Sequence, residues 1–146
     1  MVYVFVFISK NYLFKDCLIY ETRNFTVYQD WEVPVPGFLV IGAKKKIDSI
    51  LEFSNEEYKE FSELILLCRK KLKEILGIEK VYFFNSEDSE TGFHYLLYPR
   101  YGWMNKFGKK LKSMKPSMDY AEMKMINYEK IQEVRKVAEK LKKAFY

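Results

Sequence analysis

Ser54 opens the stretch around which the rest of the chain has to be built. Ser54 with Glu57 three residues on forms a capping box, and Asn55, Glu56 and Glu57 suit the positive end of a helix dipole. Tyr58, Phe61, Leu64, Ile65, Cys68, Leu72, Ile75 and Leu76 then recur at helical spacing, with Lys and Glu between them. Gly77 suits the left-handed position just past the last turn. The spacing predicts an amphipathic helix of about 20 residues, whose apolar stripe must be buried against another element.

The rest of the chain supplies strands on both sides of that helix. Val2 to Ile8 is β-branched and aromatic almost throughout and reads as a buried strand. Cys17 to Glu21 and Phe25 to Asp30 are two short β runs joined by the polar turn Thr22-Arg23-Asn24. Pro34 and Pro36 fix an extended connector that Gly37 ends, and Phe38 to Ile41 forms the next β run, leading to Lys44-Lys45-Lys46. Beyond the helix, Lys80 to Asn85 and Phe93 to Tyr98 are strands bridged by an acidic turn. Residues 101–118 carry Gly, Pro and scattered Met and read as a partly irregular connector. Tyr128 to Phe145 reads as a second helix, striped by Ile131, Val134, Ala138, Leu141 and Phe145. No internal repeat or low-complexity tract appears. The layout predicts an α+β fold: an antiparallel sheet of about five strands, one long central helix and a C-terminal helix.

Composition removes several function classes. At 146 residues the chain suits one domain over 1–146, and 49% hydrophobic with 31% charged residues excludes a disordered chain. The opening MVYVFVFISK lacks a basic n-region and a small-residue cleavage site, and its apolar run is too short for a span, so a cytoplasmic protein with no membrane partner is expected. Cys17 and Cys68 have no short spacing, which leaves no zinc ribbon or CxxC redox motif and predicts two buried thiols. No metal or other cofactor is called for. Any histidine-dependent chemistry must use His94, the one histidine. The net charge of +5 favours anionic partners, but the basic last helix alternates with Glu129, Glu133 and Glu139, which argues against nucleic acid.

Two stretches together resemble the histidine-triad (HIT) superfamily of nucleotide-binding hydrolases and transferases. One runs from Asp30-Trp31 through the Pro connector and Gly37-Phe38 to Lys46; the other is His94-Tyr95-Leu96-Leu97-Tyr98-Pro99-Arg100. The long helix lies between them, as in the family. The resemblance covers residues 17–101, with 102–146 a C-terminal helical extension. Tyr101-Gly102-Trp103-Met104 is similar to a divergent bacterial branch described as diadenosine-tetraphosphate-hydrolase-like. The triad positions are Gly92, His94 and Leu96, so the triad is degenerate and only the middle histidine stands. Phe38 replaces a histidine that commonly follows the Gly.

The resemblance implies a homodimer with a purine-nucleotide pocket, in which His94 attacks the α-phosphorus of a nucleotide conjugate or dinucleoside polyphosphate and forms a nucleotidyl-histidine. It implies ribose binding by Asp30, base stacking on Trp31 and a phosphate-side role for Asn85, with Arg100, Lys44, Lys45 or Lys46 as nucleotide-side candidates to make up for the donor that Leu96 lacks. Gly92 would hold the His94 ring through its main-chain carbonyl. Leu96, having no polar atom, cannot replace the third histidine's donation to phosphate. The alternative is a catalytically inactive nucleotide-binding or interaction module on the same scaffold. Plainer roles also stand beside each of these. His94 can be a core or edge histidine satisfied by a backbone carbonyl, Trp31 a core anchor, and Asp30 an acceptor for backbone donors in its turn. Lys44 to Lys46 can be a solvated loop end, and the Met cluster a packing filler.

Overall fold

The structure, a computed structural model, describes residues 13–146; the strand expected at Val2 to Ile8 lies outside the described residues. The elements run β1 (Leu18–Glu21), β2 (Phe25–Gln29), β3 (Leu39–Ala43), α1 (Asn55–Leu76), β4 (Val81–Asn85), β5 (His94–Pro99), α2 (Met114–Lys124) and α3 (Tyr128–Phe145). Among the described residues the five strands form one antiparallel sheet in the order β1-β2-β3-β5-β4. The fold is α+β.

The caps of α1 are those the sequence demands. Ser54 Oγ accepts from the Glu57 N–H, Glu57 Oε1 accepts from the Ser54 N–H, and Gly77 closes the helix at φ 67°. Lys45 Nζ reaches the same Glu57 carboxylate at 2.8 Å. Phe61, Leu64, Cys68 and Leu72 of α1 pack on Phe25, Val27, Leu39, Ile41 and Leu97 from one sheet face. Ala138, Leu141 and Phe145 of α3 join that cluster. Strand alternation does the rest: β2 buries Phe25, Val27 and Gln29 and turns Thr26 and Tyr28 the other way. Glu60 of α1 pins the β1–β2 turn, accepting from the Asn24 N–H at 2.8 Å and from Asn24 Nδ2 at 2.7 Å.

Among the described residues the opposite sheet face is covered at one end only. There Val33, Val35, Phe38, Tyr98, Met104, Met114 and Ala121 form a second core, with Phe38 and Tyr98 ring centroids 4.8 Å apart. Residues 101–118, expected to be partly irregular, contain two 3₁₀ turns (Gly102–Phe107 and Leu111–Ser113) and the start of α2, which corrects that expectation. Pro116 does not oppose the helix, because in the first turn its missing N–H has no intrahelical partner to lose. Of the methionines between positions 104 and 125, Met104 and Met114 are buried and Met123 is exposed. Neither cysteine is in a disulfide; Cys68 is fully buried, which pushes its thiol up to about 12, and Cys17 is half-buried. No helix among the described residues is long and apolar enough to cross a membrane.

Candidate active site

Where α2 stops covering the sheet, a cleft of about 790 Å³ opens. Its floor is set by strand register. Thr26 pairs with Gly42 and Gly42 with His94, while Tyr28 pairs with Val40, Val40 with Leu96, and Leu96 with Phe84. All seven of these residues line the cleft. One cross-strand row thus ends on the imidazole, and the next is apolar or aromatic throughout. Gly42 contributes no side chain, so the floor stays low beside His94.

His94 is half-buried at the start of β5. Its Nδ1 lies 3.2 Å from Thr91 Oγ1, and Nε2 has no hydrogen-bond partner among the described residues. The expected holder, the Gly92 carbonyl, is not the partner of Nδ1. The chain turns at Gly92 with φ 90°, the Phe93 N–H bonds the Ile47 carbonyl at 2.8 Å, and the Thr91 hydroxyl comes to the ring instead. A side chain at Gly92 would be strained there, and its Cβ would sit 3.2 Å from the Ile47 carbonyl.

Asp30 and Trp31 line the same cleft. Asp30 Oδ2 accepts from the Glu32 N–H at 3.1 Å and the Val33 N–H at 2.8 Å, so it does cap the turn while Oδ1 keeps acceptor capacity. Burial pushes its carboxyl up to about 6, against the pull of those two N–H groups toward the charged form. Because the folded pKa lies above the unfolded one, the folded state binds the extra proton, and stability falls as pH rises between roughly 4 and 6. Asp30→Asn keeps an acceptor for the turn and removes the charge. The variant should therefore gain melting temperature over wild type at pH 8 and little at pH 4, read by thermal denaturation across that range. Trp31 is 38% exposed, stands edge-on to Tyr28 at 6.2 Å and has Lys15 Nζ 5.7 Å from its ring centroid. It is a wall of the cleft rather than a buried core anchor.

Two expected site residues lie outside the cleft lining. Asn85 gives its Nδ2 to the His94 carbonyl and so fixes the strand backbone under the imidazole rather than facing a ligand. Arg100 is spent on the C-terminal extension. Its Nη1 donates to Tyr82 Oη at 2.9 Å and Ser113 Oγ at 3.2 Å, and its Nη2 to Asn105 Oδ1 at 2.8 Å and the Gly108 carbonyl at 2.6 Å. The side chain follows a buried Pro99 past the second core, which points it at the 3₁₀ segment and away from His94. Phe38 is likewise core, 1% exposed. Lys44 pairs with Glu21 and Lys45 with Glu57, each at 2.8 Å; Lys46, also lining the cleft, makes no ion pair among the described residues. Thr91 and Ser89 were not singled out by sequence reasoning, since a serine and a threonine in an acidic turn carry no spacing signal. No group of three or more His, Cys, Asp or Glu able to hold a metal occurs among the described residues.

No protein-family model matches the chain. In sequence it is 30% identical over 84 residues to the galactose-1-phosphate uridylyltransferase of Thermotoga maritima, a match covering 53% of this chain; the chain spans 26% of that protein's length. In structure it is similar to a HIT-like protein involved in cell-cycle regulation from Bartonella henselae, with TM-score 0.59, 14% identity, and 87% and 84% of the two chains covered. It is also similar to a zinc-bound histidine triad family protein from Mycobacterium smegmatis, with TM-score 0.56, 15% identity, and 88% and 87% covered. The NitFhit protein of C. elegans matches at TM-score 0.58 and 12% identity, over 85% of this chain and 27% of that one.

Proposed function

On a chain that carries the histidine-triad fold, we propose a nucleotide-binding protein that transfers or hydrolyses at the α-phosphate of a purine nucleotide conjugate or dinucleoside polyphosphate. The observation that carries this reading is that His94 Nε2, without a hydrogen-bond partner among the described residues, lies in a cleft that Asp30 and Trp31 also line. A cleft of about 790 Å³ is within the size range that takes small-molecule ligands. In this reading Trp31 stacks the base, Asp30 Oδ1 accepts from the ribose, and Lys46 faces the phosphates. Nε2 bonds to the α-phosphorus as the bond to the leaving group breaks, and that group departs with the electron pair and takes a proton from water. Water then cleaves the P–N bond and returns neutral His94.

The test is to incubate the protein with an adenosine 5′-phosphoramidate and with a dinucleoside polyphosphate. Release of nucleoside monophosphate, and a nucleotidyl mass addition on the peptide containing His94 after rapid quenching, support the reading. Absence of both in a protein whose melting temperature AMP raises transfers it to the second reading, a binding module without turnover. Leu96 favours that second reading, because it puts an apolar side chain beside His94 where developing phosphate charge needs a donor. Losing one such donor typically costs about 10²–10³ in rate. The homodimer and the diadenosine-tetraphosphate-hydrolase-like branch belong to the same proposal; sedimentation at micromolar concentration tests the former.

A further inference from the structure

Resting on the role proposed for His94, we infer that the hydroxyls of Thr91 and Ser89 act together as a positioning pair that sets which His94 nitrogen carries the proton. The His94 Nδ1–Thr91 Oγ1 distance is 3.2 Å, and Thr91 Oγ1 lies 2.9 Å from Ser89 Oγ. Ser89 Oγ also accepts from the Thr91 N–H at 3.2 Å.

A carbonyl beside Nδ1 would fix the tautomer by itself, because it can only accept. A hydroxyl is ambivalent: it can take a proton from Nδ1–H or give one to a bare Nδ1. Only the first arrangement leaves the Nε2 lone pair free for attack. Ser89 resolves the ambiguity. Its oxygen already faces the Thr91 N–H as an acceptor, so it is placed to accept the Thr91 O–H as well. The Thr91 oxygen then presents its lone pairs to the ring, and the direction runs from Nδ1–H to Thr91 to Ser89. The same donor orientation spreads the positive charge that appears on the ring once Nε2 is bonded. In effect, two turn residues take the place of the acceptor that Gly92 does not supply.

The chain's one histidine makes the test unambiguous. Long-range ¹H–¹⁵N correlation spectra of the ring, recorded at a pH where the imidazole is neutral, report its tautomer without any substrate. Wild type is expected in the Nδ1–H form. Thr91→Val, which removes the hydroxyl but keeps the shape, should move the ring toward the Nε2–H form; Thr91→Ser should restore the wild-type pattern, and Ser89→Ala should give a mixture. Turnover, where wild type has it, should fall roughly 10–100-fold in Thr91→Val and return in Thr91→Ser. A wild-type ring in the Nε2–H form, or a Thr91→Val spectrum identical to wild type, overturns the inference. A wild-type Nδ1–H ring that responds to Thr91→Val in a protein with no turnover upholds it and overturns the catalytic reading instead, so the two fail separately.

Discussion

His94→Ala is expected to reduce release of AMP from an adenosine phosphoramidate to the uncatalysed background while AMP still raises the variant's melting temperature. Removing the group that forms the covalent bond typically costs on the order of 10⁶-fold in rate, because no neighbour inherits its chemistry. Here the other two triad positions are Gly92 and Leu96, neither of which has a nucleophilic atom. Lys46 also lines the cleft, but it lies on the loop after β3 and not at a triad position. Binding should survive because Asp30 and Trp31 sit on a separate connector and owe no hydrogen bond to the imidazole. Fold should survive too, since the ring is half-buried and its hydrogen-bond partner among the described residues is an exposed turn residue. Both arms are read together, turnover by product release and binding by melting-temperature shift. A variant retaining turnover within a few fold of wild type would remove His94 from the mechanism.

Gln29→Leu is expected to lower stability by about 1–3 kcal/mol and the melting temperature by roughly 3–10 °C. Gln29 is fully buried at the end of β2, and both ends of its amide are used. Nε2 donates to the Val35 carbonyl at 3.0 Å, and Oε1 accepts from the Gly37 N–H at 3.2 Å. These two bonds hold the Pro34–Pro36 connector against the sheet, and the Tyr101 hydroxyl adds a bond to the Pro36 carbonyl at 2.5 Å. Leucine has nearly the same volume but would leave the Gly37 N–H without its acceptor, at a cost of about 1–3 kcal/mol, while the Val35 carbonyl would keep only the Phe38 N–H at 3.2 Å. The connector also carries Asp30, whose N–H bonds the Phe38 carbonyl at 2.7 Å. Loosening it should weaken nucleotide binding along with stability, whereas a surface glutamine would show neither effect. Thermal unfolding and AMP titration of the same variant check this; a melting temperature within roughly 2 °C of wild type would show that the amide does not hold the connector.

The elements that could be read from the residues are those whose cause is local. Ser54, Glu57 and Gly77 cap α1 through contacts at most a turn or so away, and the observed caps are the expected ones. The alternation in Phe25–Gln29 names its own buried face. By contrast, α2 was hidden by its composition. Two of the positions it buries are Ser117 and Ala121, which write no apolar stripe. Ser117 is at home there because its hydroxyl lies 2.8 Å from Tyr98 Oη, a partner 19 positions away.

The candidate site divides along the same line. Sequence alone determined that an imidazole, a carboxylate and an indole stand beside β runs on either side of a capped helix, because spacing and strand period are properties of the chain itself; a nucleotide role for them is what the family resemblance implies. Tertiary structure alone decided that Arg100 holds the C-terminal extension, that Asn85 secures backbone, and that Thr91 rather than Gly92 meets the His94 ring. Those outcomes depend on which hydrogen-bonding group arrives first at a given atom once the sheet is assembled. A guanidinium or a hydroxyl has many partners open to it along the sequence, and only packing selects the few it meets.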